Sequence, residues 1–222
     1  MTAEVRLILA SASPARRRLL AAAGIDAQVI VSHVEEETAS VGLGAPADVA
    51  LGLAVAKARN VAERVSGGGP RPSRLLVLGC DSVLEVPGVP ELAGRALGKP
   101  ADAADATRRW HLMAGQQGLL HTGHCLIDLP VEPGLPQREF SATASTGVDF
   151  GRPTAPELAA YIASGEPLRV AGAFTLDGLG GAFVEGVRGD PSNVVGLSLP
   201  LLRSLAARAG VSWPSLWSGS QP

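Results

Sequence analysis

Two long strand patterns set side by side constrain this chain more than any other feature of its sequence. Residues 119–129 and 138–150 read as strands joined by the turn-rich Val131-Glu132-Pro133-Gly134-Leu135-Pro136. In the second, Phe140, Ala142, Ala144, Thr146, Val148 and Phe150 share one face at the two-residue period of a strand. Around this hairpin the pattern switches to strand–helix units. Residues 5–10 form a buried apolar strand, 14–23 a helix ended by Gly24, and 28–32 a short strand. Glu35-Glu36-Glu37 opens a polar loop, and 47–65 carry helical spacing. Residues 67–72 are a flexible Gly/Pro link but no domain boundary, because a strand over 75–79 follows at once. Helices are predicted over 101–113, 154–164 and 200–209, the second opened by Thr154 with Glu157 three residues on. βα units combined with a long hairpin predict an α/β fold: a mixed, twisted sheet with flanking helices.

At 222 residues the chain is read as one domain, residues 1–212, with a loosely ordered tail over 213–222. A hydrophobic fraction of 46% excludes intrinsic disorder. No apolar run approaches the ~18 residues of a membrane span, and Met1-Thr2-Ala3-Glu4 opens nothing like a secretory signal. A net charge of −2 supplies no basic footprint for nucleic acid or membrane surface. Cys80 and Cys125 form no CxxC pair, which predicts a reduced, cytoplasmic setting. Of the 19 basic residues only Lys57 and Lys99 are lysines, as in products of GC-rich genomes, so a lysine kept against that bias stands out.

Four places carry chemistry. In Leu9-Ala10-Ser11-Ala12-Ser13-Pro14-Ala15-Arg16 a strand ends, Ser13 can cap, Pro14 suits the first helical position, and a helix opens. Its free N–H groups, two hydroxyls and arginine suit a phosphate, although an ordinary capped helix with solvated arginines reads the same way. Lys57 follows Ala50 by seven residues, which at ~100° per residue puts it on the apolar stripe with Leu53, Ala54, Ala58 and Val61. An ammonium there either snorkels to the edge or meets an anion. Val77-Leu78-Gly79-Cys80-Asp81-Ser82 delivers a carboxylate near the C-terminal end of a strand, where α/β sheets place ligand crevices. Asp81 suits a divalent cation, a base toward water, or a plain turn. The glycine-rich runs 171–178 and 189–197 allow close backbone approach to a ligand, or simply make loops. His121 and His124 differ by three on a strand, so they face opposite sides and share no metal; His33 and His111 are isolated. No Ser-His-Asp constellation, nucleophile elbow or GxGxxG is visible.

Taken in order, Leu9-Ala10-Ser11-x-Ser13-Pro14-x-Arg16, Glu35-Glu36, Lys57-Ala58, Gly79-x-Asp81-Ser82, Gly98-Lys99-Pro100, His121-Thr122-Gly123, Tyr161-x4-Glu166-Pro167, Ala171-Gly172 and Asn193-Val194-Val195-Gly196-Leu197 resemble the Maf proteins over residues 5–212. The resemblance implies a nucleoside triphosphate pyrophosphatase, converting NTP and water to NMP and pyrophosphate with a divalent cation, Mg²⁺ or Mn²⁺. It further implies two lobes around a nucleotide-binding cleft, often in a homodimer. On that reading Ser11, Ser13 and Arg16 hold phosphates, Lys57 and Lys99 neutralise them, Glu36 and Asp81 hold the cation, and Asp81 is the proton acceptor. The positions that set base preference hold Ala15, Ser82 and Asp177. The dTTP/UTP-preferring branch has Arg, Thr and Gln there, so that label does not transfer. A nucleotide-binding regulator of septum formation is the competing function, but it needs no proton acceptor. A haloacid-dehalogenase-type phosphatase would need Asp-x-Asp after the first strand, where the chain has Ala10-Ser11-Ala12-Ser13.

Overall fold

The computed structural model describes residues 4–35, 44–66, 74–131 and 135–218. The predicted link over 67–72 lies outside them, as does the middle of the turn joining the two long strands.

A six-stranded sheet runs in the order β2-β1-β3-β4-β5-β6. Its strands are β1 Val5–Leu9, β2 Gln28–Val29, β3 Arg74–Glu85, β4 Gln117–Leu129, β5 Arg138–Phe150 and β6 Val184–Arg188. β1 lies parallel to β2 and β3, and every other pairing is antiparallel. The mixed sheet is therefore the predicted one. The helices are α1 Pro14–Ala22, α2 Pro46–Ser66, α3 Ala103–Met113, α4 Ala155–Ala163, α5 Pro191–Val195 and α6 Leu199–Arg208. Local chemistry starts them as the sequence indicates. Ser13 caps α1 ahead of Pro14, and Glu157 accepts from both the backbone N–H and hydroxyl of Thr154 at 2.7 Å.

Three outcomes differ from the sequence reading. β3 does not stop at Gly79 but continues to Glu85, because β4 pairs with it from Leu75↔Leu129 through Glu85↔Leu119. The segment after Trp213 is seated as far as Ser218. Leu216 is buried in the core beside α1 and α6, the Ser218 N–H donates to the Gly24 carbonyl at 2.7 Å, and the Asp26 N–H donates to the Ser218 hydroxyl at 2.8 Å. β6 and the short α5 add elements that the pattern does not announce.

The core divides into three parts. On one face of the sheet, Leu7, Leu9, Leu76, Leu78 and Leu126 meet Leu20 of α1 and Leu202 and Leu205 of α6. On the other, Ile8, Ala10, Val77, Cys125 and Ile127 meet Ala54, Ala58, Val61 and Ala62 of α2. Past residue 83 a separate cluster gathers Leu84, Val86, Trp110, Leu120, Val148, Phe150, Leu158, Tyr161 and Phe174. β3, β4 and β5 are long enough to run through both ends, which gives two lobes on one sheet. The strand register marks the break between them. β1 pairs with β3 only as far as Leu9↔Leu78, and the next contact on that flank is the isolated bridge Leu84↔Leu97. Among the described residues no strand covers residues 79–83 from that side.

Candidate active site

Two glycines bring the site together. A Cβ on Gly79 would lie 2.2 Å from the Ala54 carbonyl oxygen and 2.7 Å from the Ala58 nitrogen. One on Gly123 would lie 2.2 Å from the Ala50 carbonyl oxygen. The backbone of α2 thus rests directly on β3 and β4, at a distance no side chain permits. Asp81 pairs in register with Gly123 and shares the α2-facing side of β3 with Gly79 two residues earlier. Lys57 lies on the inner face of α2 between Ala54 and Ala58. Its ammonium forms an ion pair with the Asp81 carboxylate, both residues being 8% exposed. Of the two outcomes its spacing leaves open, Lys57 takes the second and meets an anion, the strand aspartate. Asp81 itself sits within β3, beside the uncovered flank, and not at a strand end.

The opposite face of the same strands carries a second polar system, centred on Arg16. Its Nε donates to the Gly196 carbonyl at 2.6 Å. Nη1 donates to Ser11 Oγ at 3.0 Å and to the Cys80 carbonyl at 2.9 Å, and Nη2 donates to Ser82 Oγ at 3.0 Å. Four of its five N–H groups are thus committed to protein acceptors. Expected at the phosphates, Arg16 is placed here as a tie between α1, β3 and the C-terminal cap of α5. Ser82 continues the chain to Thr122 Oγ1 at 2.9 Å, and that hydroxyl lies 3.2 Å from the Asn193 carbonyl oxygen. The fully buried Asn193 donates from Nδ2 to the Leu120 carbonyl at 3.1 Å and to Thr146 Oγ1 at 3.0 Å. Neither Thr122 nor Asn193 is singled out from sequence as a connector, although both fall inside the motifs.

The α1 entrance carries two serine hydroxyls and first-turn amides. Ser11 Oγ accepts from the Ser13 N–H at 3.2 Å, and Ser13 Oγ accepts from the Arg16 N–H at 3.4 Å. The amide of Ala15, in the first turn, has no intrahelical acceptor. Across the uncovered flank, Lys99 is exposed, in the loop two residues beyond Leu97, whose bridge to Leu84 closes the far end. That loop is fixed by donation to the Gly98 carbonyl from Arg109 at 2.8 Å and from the Gly172 N–H at 3.1 Å.

The residues expected to face the base are split. Ser82 is half-buried on Arg16 and Thr122. Asp177 is tied to α1 through Arg18, one turn after Ala15, which donates to Asp177 Oδ2 at 2.8 Å. Asp177 is exposed, on a loop organised by Glu166, which accepts from Thr175 Oγ1 at 2.6 Å and from the Gly180 and Leu179 N–H groups at 3.0 and 3.1 Å. Burial pushes the Glu166 carboxyl up, but these donors outweigh it and hold its pKa below the usual carboxylate value. Glu36, expected to bind metal, lies outside the described residues. The two strand histidines have separate partners, as their spacing requires. His121 sits between Ser145 and Glu85. His124 Nε2 accepts from the Ser198 N–H at 2.8 Å, and burial drives its pKa down to about 4, leaving a neutral ring that pins the start of α6.

Comparison with known proteins identifies the family. The model of the Maf-like protein family matches residues 6–209. A nucleoside triphosphate pyrophosphatase of Streptomyces avermitilis is 52% identical over 96% of this chain and 95% of its own length. Proteins of the same description are 50% identical in Salinispora tropica, over 96% of this chain and 88% of their own length, and 49% identical in Mycobacterium tuberculosis, over 97% and 95%. A solved dITP/XTP pyrophosphatase of Mycobacterium abscessus overlaps 91% of this chain and 93% of its own at 15% identity and a TM-score of 0.38, too slight a likeness to carry weight. With the family model spanning nearly the whole length and relatives at half identity, the chain belongs to the Maf-like protein family.

Proposed function

We propose that the crevice beside β3 hydrolyses a nucleoside triphosphate to a nucleoside monophosphate and pyrophosphate. The observation that carries this reading is the buried Lys57–Asp81 pair at the uncovered flank of β3, together with the N-terminus of α1. A triphosphate brings a charge near −4, and this crevice offers what such a charge requires. Ser11, Ser13 and the first-turn amides of α1 donate to phosphate oxygens, with the Arg16 charge behind them. Lys57 from one lobe and Lys99 from the other neutralise the chain of phosphates. Asp81 takes the proton of the water that attacks the α-phosphorus, and pyrophosphate departs. A regulator that only binds a polyanion gains nothing from a buried carboxylate facing it, which favours turnover over mere binding.

The donor set suits a divalent cation. Mg²⁺ characteristically uses one or two carboxylates and completes its shell with phosphates and water, so Asp81 meets the demand without a protein cage. Among the described residues no three His, Cys, Asp or Glu side chains are grouped to make such a cage. Asp81 and Glu36 would hold Mg²⁺ or Mn²⁺, which when bound shields phosphate charge and polarises the reacting phosphoryl group. No helix among the described residues is long and apolar enough to cross a membrane. Both cysteines are free and buried, which supports a cytoplasmic setting.

The test is Asp81→Asn against a panel of NTPs with Mg²⁺ or Mn²⁺, scoring NMP and pyrophosphate separately from NDP and phosphate. The expected result is a loss of at least ~10²-fold in kcat. Removing one partner of a buried pair also destabilises, by about 3–5 kcal/mol. Thermal melts therefore accompany the assay, and Lys57→Met combined with Asp81→Asn recovers stability but not turnover. Near-normal turnover of folded Asp81→Asn, or NDP and phosphate as the products, overturns the reading.

A further inference from the structure

His121 takes no part in the chemistry described above, yet it is 6% exposed and uses both ring nitrogens. Nδ1 lies 2.8 Å from Ser145 Oγ, and Nε2 lies 3.1 Å from Glu85 Oε2. The three residues come from three adjacent strands. Ser145 pairs in register with His121, which pairs with Val83, two residues before Glu85 on the same face of β3. No local stretch of sequence could show this grouping, which is why no serine–histidine–acid set is visible there.

The hydrogen-bond roles follow from the chemistry of each group. An ionised Glu85 can only accept, so Nε2 carries the proton and donates to it. Nδ1 is then left as an acceptor, and the Ser145 hydroxyl donates to it. Ser145 is exposed, whereas the ring behind it is shut away from water. Among the described residues its hydroxyl has no hydrogen bond other than the one to His121. This is the order nucleophile, base, orienting carboxylate, held on the central strands of a rigid sheet.

We propose that Ser145 is a nucleophile activated by His121 and oriented through Glu85, and that it reacts with small, uncharged, activated esters. Ser145 Oγ attacks the carbonyl carbon while its proton passes to His121 Nδ1. The ester C–O bond breaks, and the departing alcohol takes that proton. Water then attacks the acyl-serine, giving up a proton to His121 and releasing the carboxylic acid as the serine is restored. Glu85, four residues further along β3, shares a face with Asp81, so the two chemistries are told apart by variants and not by location.

The experiment incubates the full chain with p-nitrophenyl acetate, reading nitrophenolate release and intact mass, and traps the serine with an alkyl fluorophosphonate. The expected result is a single adduct on the Ser145 peptide, absent in Ser145→Ala and formed about 10²-fold more slowly in His121→Gln. Glu85→Gln, which keeps the shape at the surface, also slows it. Ser145→Ala, an exposed change, keeps the melting temperature and NTP turnover of the parent, so failure here is distinct from failure of the pyrophosphatase reading. No adduct, an adduct on another residue, or equal labelling of Ser145→Ala overturns the proposal.

Discussion

The two ends of the sheet are packed in opposite ways. Past residue 83, five of the chain's eight aromatic residues meet edge to face. The Trp110 ring lies 5.8 Å from Phe150, 6.0 Å from Tyr161 and 5.9 Å from Phe183, and Phe150 lies 5.0 Å from Phe174. The indole N–H is satisfied by the Ala173 carbonyl at 2.8 Å. Around Asp81 the contacts are made instead by Ala50, Ala54, Ala58, Gly79 and Gly123. Large rings fill volume and stabilise, but they hold elements apart. Small residues bury less area yet let a helix backbone touch a sheet, and only that brings a lysine on α2 onto a carboxylate on β3.

Substitutions at the two ends should therefore separate stability from activity. Trp110→Ala removes the hub of the aromatic cluster and should cost about 3–5 kcal/mol. Turnover per folded molecule should stay near that of the parent. Gly123→Ala works the other way. Its methyl group would meet the Ala50 carbonyl oxygen at 2.2 Å and the Leu51 Cα at 2.5 Å, so α2 must lift. A cost of about 1–3 kcal/mol is expected from the overpacking. With it comes a loss of kcat that approaches ~10²-fold, because Lys57 moves relative to Asp81. Denaturant titration and kcat at matched folded fraction check both. A Gly123→Ala protein with full turnover would break the comparison.

A second contrast sharpens the first, between two buried aspartates. Asp81 pairs with the Lys57 ammonium beside the stretch of β3 that no described strand covers. Asp128 is closed in: Arg74 donates to both its oxygens at 2.7 and 2.6 Å, Arg138 donates at 3.2 and 2.6 Å, and both arginines also reach the Ala209 carbonyl. Burial pushes the Asp128 carboxyl up, but the two guanidinium groups outweigh it and hold its pKa below the usual carboxylate value. Because the folded value is depressed, the stabilisation is present above the unfolded pKa and is lost as pH falls through the folded one. Asp128→Asn should cost about 1–3 kcal/mol near neutrality, the half-exposed Arg138 softening the loss. The gap between parent and variant should begin to narrow as pH falls below about 4. Denaturation midpoints at neutral pH and near pH ~3 measure it, and a gap that is the same at both would assign the effect to packing.

The same contrast explains what the sequence discloses. The long strands are legible to within two residues because alternation and flanking turn residues mark them, as at Phe150 and Pro136. Lys57 is legible because helical period alone places it on the buried stripe. The extent of β3 is not. Gly79, Asp81 and Ser82 belong to turn-forming residue types, and what keeps the chain extended is β4, about forty residues away. Arg16 reads as a phosphate ligand because its acceptors are hidden by distance: Gly196 lies 180 residues along the chain. Local chemistry writes caps and periods, whereas tertiary pairing decides which charges are already spent.

The smallest effect belongs to the ion pair that crosses between the ends. The Arg18 side chain is 66% exposed and that of Asp177 31%, so the pair contributes at most about 1 kcal/mol to stability. Its value lies in position, because it ties Asp177 to α1 one turn after Ala15. An ionised carboxylate only accepts hydrogen bonds, which suits the N1–H and amine of guanine and opposes the carbonyls of thymine or uracil. Asp177→Gln should therefore shift the kcat/KM ratio of GTP to dTTP toward dTTP by about 10-fold, with little change in melting temperature. Arg18→Ala, which strips the carboxylate of its counter-charge, should move the ratio toward GTP. If Asp177 serves only as a surface partner for Arg18, neither variant moves the ratio, and base preference must be sought at Ala15 and along the uncovered flank of β3.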